Sequence, residues 1–96
     1  MTMIERVARV LYARAEAAAM ENPVIQAHGG LADFADAGEG ARRFYLDAAR
    51  DMIEAMREPT PEMYEAGTEV TGRPLFNATS VWQGMIGAAL DEEVAP

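Results

Sequence analysis

His28 is the only histidine in the chain, and it stands beside Gly29-Gly30. A lone histidine there could serve as a general base or a metal ligand. Zinc would have to draw its remaining ligands from carboxylates such as Asp33 and Asp36, whereas it usually takes more nitrogen or sulfur. An ordinary loop histidine is the better reading. Cysteine is absent, so disulfides, thiolate nucleophiles and thiolate metal sites are excluded. Ser80 is the sole serine and is better explained as a helix cap than as a nucleophile. Asp33, Asp36 and Glu39 are spaced by three, as are Glu62 and Glu65, and paired carboxylates can do acid–base work. Charge at such spacing more commonly marks a solvated face. The spacing after Asp33 does not fit a calcium loop. The glycines at 29–30, 38 and 40 lack the lysine and hydroxyl residue of a phosphate loop. The expectation is a protein that is not an enzyme and takes no metal and no cofactor.

The residues suited to binding lie elsewhere. The chain carries a net charge of −8, which disfavours direct contact with nucleic-acid phosphates and suits a basic protein partner. The charge is uneven. Residues 1–57 hold seven arginines against nine acids, and residues 58–96 hold one arginine against seven acids. Lysine is absent altogether. Glu58, Glu62, Glu65, Glu69, Asp91, Glu92 and Glu93 have only Arg73 to offset them. That stretch could imitate the phosphates of DNA and occupy a nucleic-acid-binding protein, or it could simply be solvated. Trp82, Met85, Ile86 and Leu90 share a helical stripe that suits a core better than an interface. Tyr12, Tyr45 and Tyr64 suit partial burial better than exposure at an interface. Glu58, Glu62, Glu65, Glu69, Tyr64 and Trp82 are the candidate partner-binding set.

Helices must position these residues. Thr2-Met3-Ile4-Glu5 has the capping-box pattern, and Ile4, Val7, Ala8, Leu11, Ala15 and Ala18 follow helical spacing after it. A first helix is predicted over 3–20, stopped by Asn22-Pro23. Glycines punctuate 24–40, where Leu31 to Ala35 could form a turn that docks Leu31 and Phe34 on the core. A second helix is predicted over 41–57, with Phe44, Tyr45, Ala48, Met52, Ala55 and Met56 as its apolar face. Its arginines are interleaved with acids, giving expected pairs Arg43–Asp47 and Arg50–Glu54. Thr60-Pro61 starts a short third helix over 61–66, with Gly67 as its cap. Residues 68–79 are predicted as a loop with a turn at Gly72-Arg73-Pro74. A second capping box, Ser80-Val81-Trp82-Gln83, opens a fourth helix over 81–92.

Ninety-six residues suit one domain spanning 1–96. Half are hydrophobic, but many of those are alanines that favour helix and bury little area. The expected class is all-α, a small bundle of about three to four helices with a long loop after the first. Neither a signal-like apolar run nor a membrane-spanning stretch is evident, so a cytoplasmic protein is expected. A thin alanine-rich core also leaves room for a homo-oligomer, in which a second subunit completes the burial.

Three segments taken together resemble a known group. They are Met3-Ile-Glu-Arg-Val-Ala-Arg-Val-Leu11, the stretch from Ala48 to Gly67 containing Arg57-Glu-Pro-Thr-Pro61, and Trp82-Gln-Gly-Met-Ile-Gly-Ala-Ala-Leu90. In this order they resemble short uncharacterised proteins carried by phages and prophages of proteobacteria. The resemblance covers under half the chain, implies a phage or prophage setting and carries over no catalytic residues. With the acidity and small size, it leads to the expectation of a small interaction protein that binds a host or phage macromolecule stoichiometrically. Anti-defence inhibition, of an anti-CRISPR-like kind, is one version. The alternative is a structural or assembly accessory of the virion.

Overall fold

The computed structural model describes residues 1–24, 33–72 and 77–92. Every regular element among them is helical: α1 (Met3–Ala19), a single 3-10 turn (Phe34–Asp36), α2 (Glu39–Ala55), α3 (Pro61–Thr71) and α4 (Asn77–Asp91). The all-α class is therefore as expected. No helix among the described residues is long and apolar enough to cross a membrane. Expectations that rested on His28, Gly29, Gly30, Leu31, Arg73 or Glu93 concern positions outside the described residues.

The first helix starts where the capping box places it. The Thr2 hydroxyl accepts the Glu5 amide at 3.0 Å. Glu5 reaches back to the Thr2 hydroxyl, at 3.4 Å, rather than to the backbone amide. Ile4 and Ala8 are fully buried, with Val7, Leu11 and Tyr12 packed beside them. Their i, i+3, i+4, i+7 spacing gives α1 one continuous apolar stripe. That stripe lies along α2, the most extensive helix pairing in the fold. Phe34, on the 3-10 turn, caps one end of the contact and is only 5% exposed.

α2 buries a different face from the expected one. Ala49 and Ile53 are buried, with Tyr45 and Leu46 packed beside them, while Phe44, Met52 and Met56 are exposed. Apolar residues fill both arcs at 44–46 and 52–53. Packing on α1 and α4 selects between them, one residue round from the arc that periodicity alone suggests. The ion pairs also differ. Arg43 reaches Glu39 at 3.6 Å, Arg50 reaches Asp47 at 3.5 Å and Arg57 reaches Glu54 at 2.9 Å. Neither expected pair, Arg43–Asp47 nor Arg50–Glu54, forms. Each arginine pairs toward the N-terminus because Cα–Cβ bonds tilt that way along a helix.

The largest departure is at α3. The Thr60 hydroxyl caps it by accepting the Met63 amide at 3.2 Å, with Pro61 at the first position, as expected. The helix then runs through Gly67 to Thr71, so much of the expected loop over 68–79 is helix. Its end is Gly72, at φ +70°, whose amide donates to the Thr68 carbonyl at 2.9 Å. Only glycine takes that left-handed conformation without strain. Gly67 has another role: a Cβ there would meet the Cβ of Ala78 at 3.2 Å. The missing side chain lets α3 and α4 approach closely. α4 begins at Asn77, so Ser80 lies inside the helix and caps nothing. Gln83 instead donates to Glu58 at 3.1 Å.

α4 ties the structure together. Ile86 enters the core at 5% exposure, with Trp82, Ala89 and Leu90 packed beside it. The Trp82 indole donates to the Met56 carbonyl at 2.6 Å, fixing the turn that follows α2. At the far end, the Met3 amide donates to Glu92 at 3.4 Å, which places a carboxylate at the positive start of α1. The radius of gyration is 17.6 Å, against about 12–13 Å for a compact chain of this length. The fold is elongated, with extents of 57 × 28 × 17 Å.

Candidate functional site

α3 and α4 enclose an apolar groove of about 450 Å³. α3 supplies Met63, Tyr64, Ala66, Gly67 and Val70, and α4 supplies Ala78, Val81, Trp82 and Met85, with Pro59 closing one end. Met63, Ala66, Gly67 and Val70 recur at i, i+3, i+4 and i+7, so one face of α3 looks into the groove. Apolar side chains here are left open to water. Val70 is 88% exposed and Met85 61%. Pro59 and Tyr64 also line a second, more polar cleft of about 330 Å³, with Glu58, Thr60, Pro61, Glu65 and Thr79.

The expected partner-binding residues are partly gathered by this arrangement. Tyr64 and Trp82 are half-buried and line the groove itself. Glu58 and Glu65 line the adjoining cleft, where Glu58 accepts a hydrogen bond from Gln83. Glu62, Glu65 and Glu69 are exposed and recur at i, i+3 and i+7, forming an acidic stripe along α3 beside its apolar face. Among the described residues, none of these three carboxylates has an ion pair. The groove's own apolar members, Met63, Val70, Val81 and Met85, were not in the expected set. The signal was present as Met63-x-x-Ala66-Gly67-x-x-Val70, but taking Gly67 for a helix end cuts that stripe in half.

A second polar cluster lies at the opposite junction. The Arg9 and Arg42 guanidinium groups sit 5.3 and 5.9 Å from the centroid of the Phe34 ring. The Nε atom of each is buried without a hydrogen-bond partner. Attraction to the ring face offsets part of that cost. Tyr12 meets Phe34 and Tyr45 edge-on, at centroid distances of 5.6 and 5.4 Å. Loss of water around the Tyr12 phenol, and then the nearby Glu16 carboxylate, push its pKa above the ordinary value. This cluster ties α1, the 3-10 turn and α2 together around aromatic rings.

No group of three His, Cys, Asp or Glu side chains among the described residues is placed to hold a metal ion. Ser80 is exposed on α4 and lines neither cavity. What the groove offers is an apolar surface that gains free energy when covered, at about 25 cal/mol per Å². Adaptable methionines on both walls would fit side chains of varied shape. No known protein family, curated protein or solved structure matches this chain.

Proposed function

We propose that this chain is a small interaction protein, encoded by a phage or prophage, that acts by binding a host or phage protein stoichiometrically rather than by catalysis. The α3–α4 groove carries this reading, because a small domain rarely leaves a contiguous apolar surface open unless something docks there. The phage setting rests on the resemblance of the Met3–Leu11, Ala48–Gly67 and Trp82–Leu90 segments. Within it, inhibition of a host defence protein in the host-cell cytoplasm, including a nucleic-acid-binding one, is the favoured role. The acids of α3, which have no ion pair among the described residues, suit a basic surface on such a target.

The test is a paired capture from host lysate with the wild-type chain and Met85→Glu, both checked for helical circular dichroism. A defined partner retained by wild type and lost by the variant supports the reading. A partner held equally by both removes the groove from the function. The elongated shape favours a second reading, a virion accessory that assembles with other subunits. Finding the chain in purified particles, in fixed ratio to the other components, would favour that role.

A further inference from the structure

The apolar groove, with the acidic stripe of α3 beside it, has a complement on the chain's own surface. The outward face of α1 presents Met3, Arg6, Val10, Arg14 and Ala17, all exposed. At 100° per residue these five fall within an arc of about 80°. Val10 is 63% exposed and stands between the two arginines, one turn from each. The helix's own acids, Glu5 and Glu16, lie on the other side, so this face is apolar and cationic except at Met3, where the Glu92 carboxylate meets the backbone amide. Among the described residues, neither Arg6 nor Arg14 has an ion pair. The arginines of α2 that flank its acids are different, because Arg43, Arg50 and Arg57 are already paired.

We infer that the α3–α4 groove of one copy receives the outward face of α1 of a second copy, giving head-to-tail self-association. Dimensions and charge both support this pairing. Arg6 and Arg14 are eight residues apart, about 12 Å along the helix, and Glu62 and Glu69 are seven apart, about 10 Å. The two charged rows therefore match to within about one residue's rise. Val10, between the arginines, is placed to enter the groove while Arg6 and Arg14 meet Glu62, Glu65 and Glu69. A groove-to-groove dimer would set two acidic rows against each other, in a chain that already carries −8. The two surfaces are different patches, so the contact is heterologous. It builds a ring if the rotation closes and an open chain if it does not.

The inference rests on the groove being a protein-docking surface, and a foreign partner at the same groove would compete with the second copy for it. Its test is sedimentation equilibrium over a concentration series on the full chain. Three samples are compared: wild type, Arg6→Glu/Arg14→Glu, and Glu62→Arg/Glu65→Arg/Glu69→Arg. All substituted positions are exposed, and circular dichroism confirms that each variant is helical. Wild type should show a weight-average mass that climbs above the monomer as concentration rises. Each variant alone should associate at least tenfold more weakly. An equimolar mixture of the two variants should recover association, because the swapped charges are again complementary. Three results would each overturn the inference: a monomeric wild type up to about millimolar concentration, association unchanged in both variants, or a mixture that stays monomeric. A monomeric wild type that still captures a partner through Met85 would remove only the self-association. Capture insensitive to Met85→Glu, with charge-swap recovery intact, would remove only the partner reading.

Discussion

The α1–α2 half and the α3–α4 half spend their apolar residues differently. In the first, Ile4, Ala8, Ala49 and Ile53 are essentially sealed, Phe34 closes the end, and three of the four acids of α2 are matched by arginines. In the second, among the described residues, only Ile86 is buried, Met63, Val70, Val81 and Met85 face water, and Glu62, Glu65 and Glu69 have no ion pair. The first half is organised for its own stability. The second is held by a close helix crossing at Gly67, by two hydrogen bonds to the turn after α2 and by the docking of Ile86, Trp82, Ala89 and Leu90 on the core, while one face of α3 offers surface. An open apolar face and acids with no ion pair among the described residues thus occur on the same helix.

That contrast can be broken most severely at Ile53. Ile53→Ala should cost about 2–5 kcal/mol, enough to remove much of a small domain's stability. The exposed counterpart Val70→Ala should stay within about 0.5 kcal/mol. Urea denaturation followed by circular dichroism measures both, and equal losses would show the two halves to be equally packed. Next in size is the helix crossing. Gly67→Leu places a side chain where a Cβ alone is already 3.2 Å from Ala78, and overpacking of this kind costs about 1–3 kcal/mol. Because the wedge pushes on α4, emission from Trp82, the only tryptophan, should shift as well.

Smaller again is Gly72→Ala, which forces a β-carbon into φ +70° and should cost about 1 kcal/mol, leaving the Trp82 emission unchanged. Seeing both a stability loss and a spectral shift there would mean that the end of α3, and not its crossing, holds the groove open. The smallest effect belongs to the charged face of α2. The Arg57 guanidinium hydrogen-bonds the Glu54 carboxyl and holds its pKa below the ordinary carboxylate value. A depressed folded-state value means that this contribution is complete above the unfolded-state pKa and fades as pH falls through the folded one. A carbon-detected NMR titration should find Glu54 protonating at lower pH than exposed glutamates, and Arg57→Gln should return it to the ordinary range.

Much of the first half was legible in the residues. The Thr2 and Thr60 caps are local chemistry that acts within one turn of chain, so sequence alone places them. The limits of α1 and α2 follow for the same reason, to within two residues. What was not legible depends on neighbours distant in sequence. Gly67 has the type of a terminating glycine, and only the approach of Ala78 shows why a helix would run through it. The buried arc of α2 is chosen by α1 and α4, and periodicity at 44–46 and 52–53 fits two arcs equally well. Tyr64, Trp82 and the acids of α3 could be named as a binding set from charge and type. The groove they border exists only once α3 and α4 are in contact, so its walls at Met63, Val70 and Val81 went unnamed, and Met85, expected in the core, is instead exposed in the groove.

The hydrogen bond from the Trp82 indole to the Met56 carbonyl also bears on how the chain matures. By the time Met56 has been synthesised, α1, Phe34 and α2 are all present, and their shared core takes buried Ile86, with Trp82, Ala89 and Leu90 beside it, from later in the chain. α3 emerges next with no extensive partner, since its main neighbour is α4. Until Trp82 reaches the turn and Ala78 seats against Gly67, the apolar side of α3 has no wall opposite it. α4 is thus the helix that creates the groove, so a nascent chain would gain this apolar cleft only after α4 has been made.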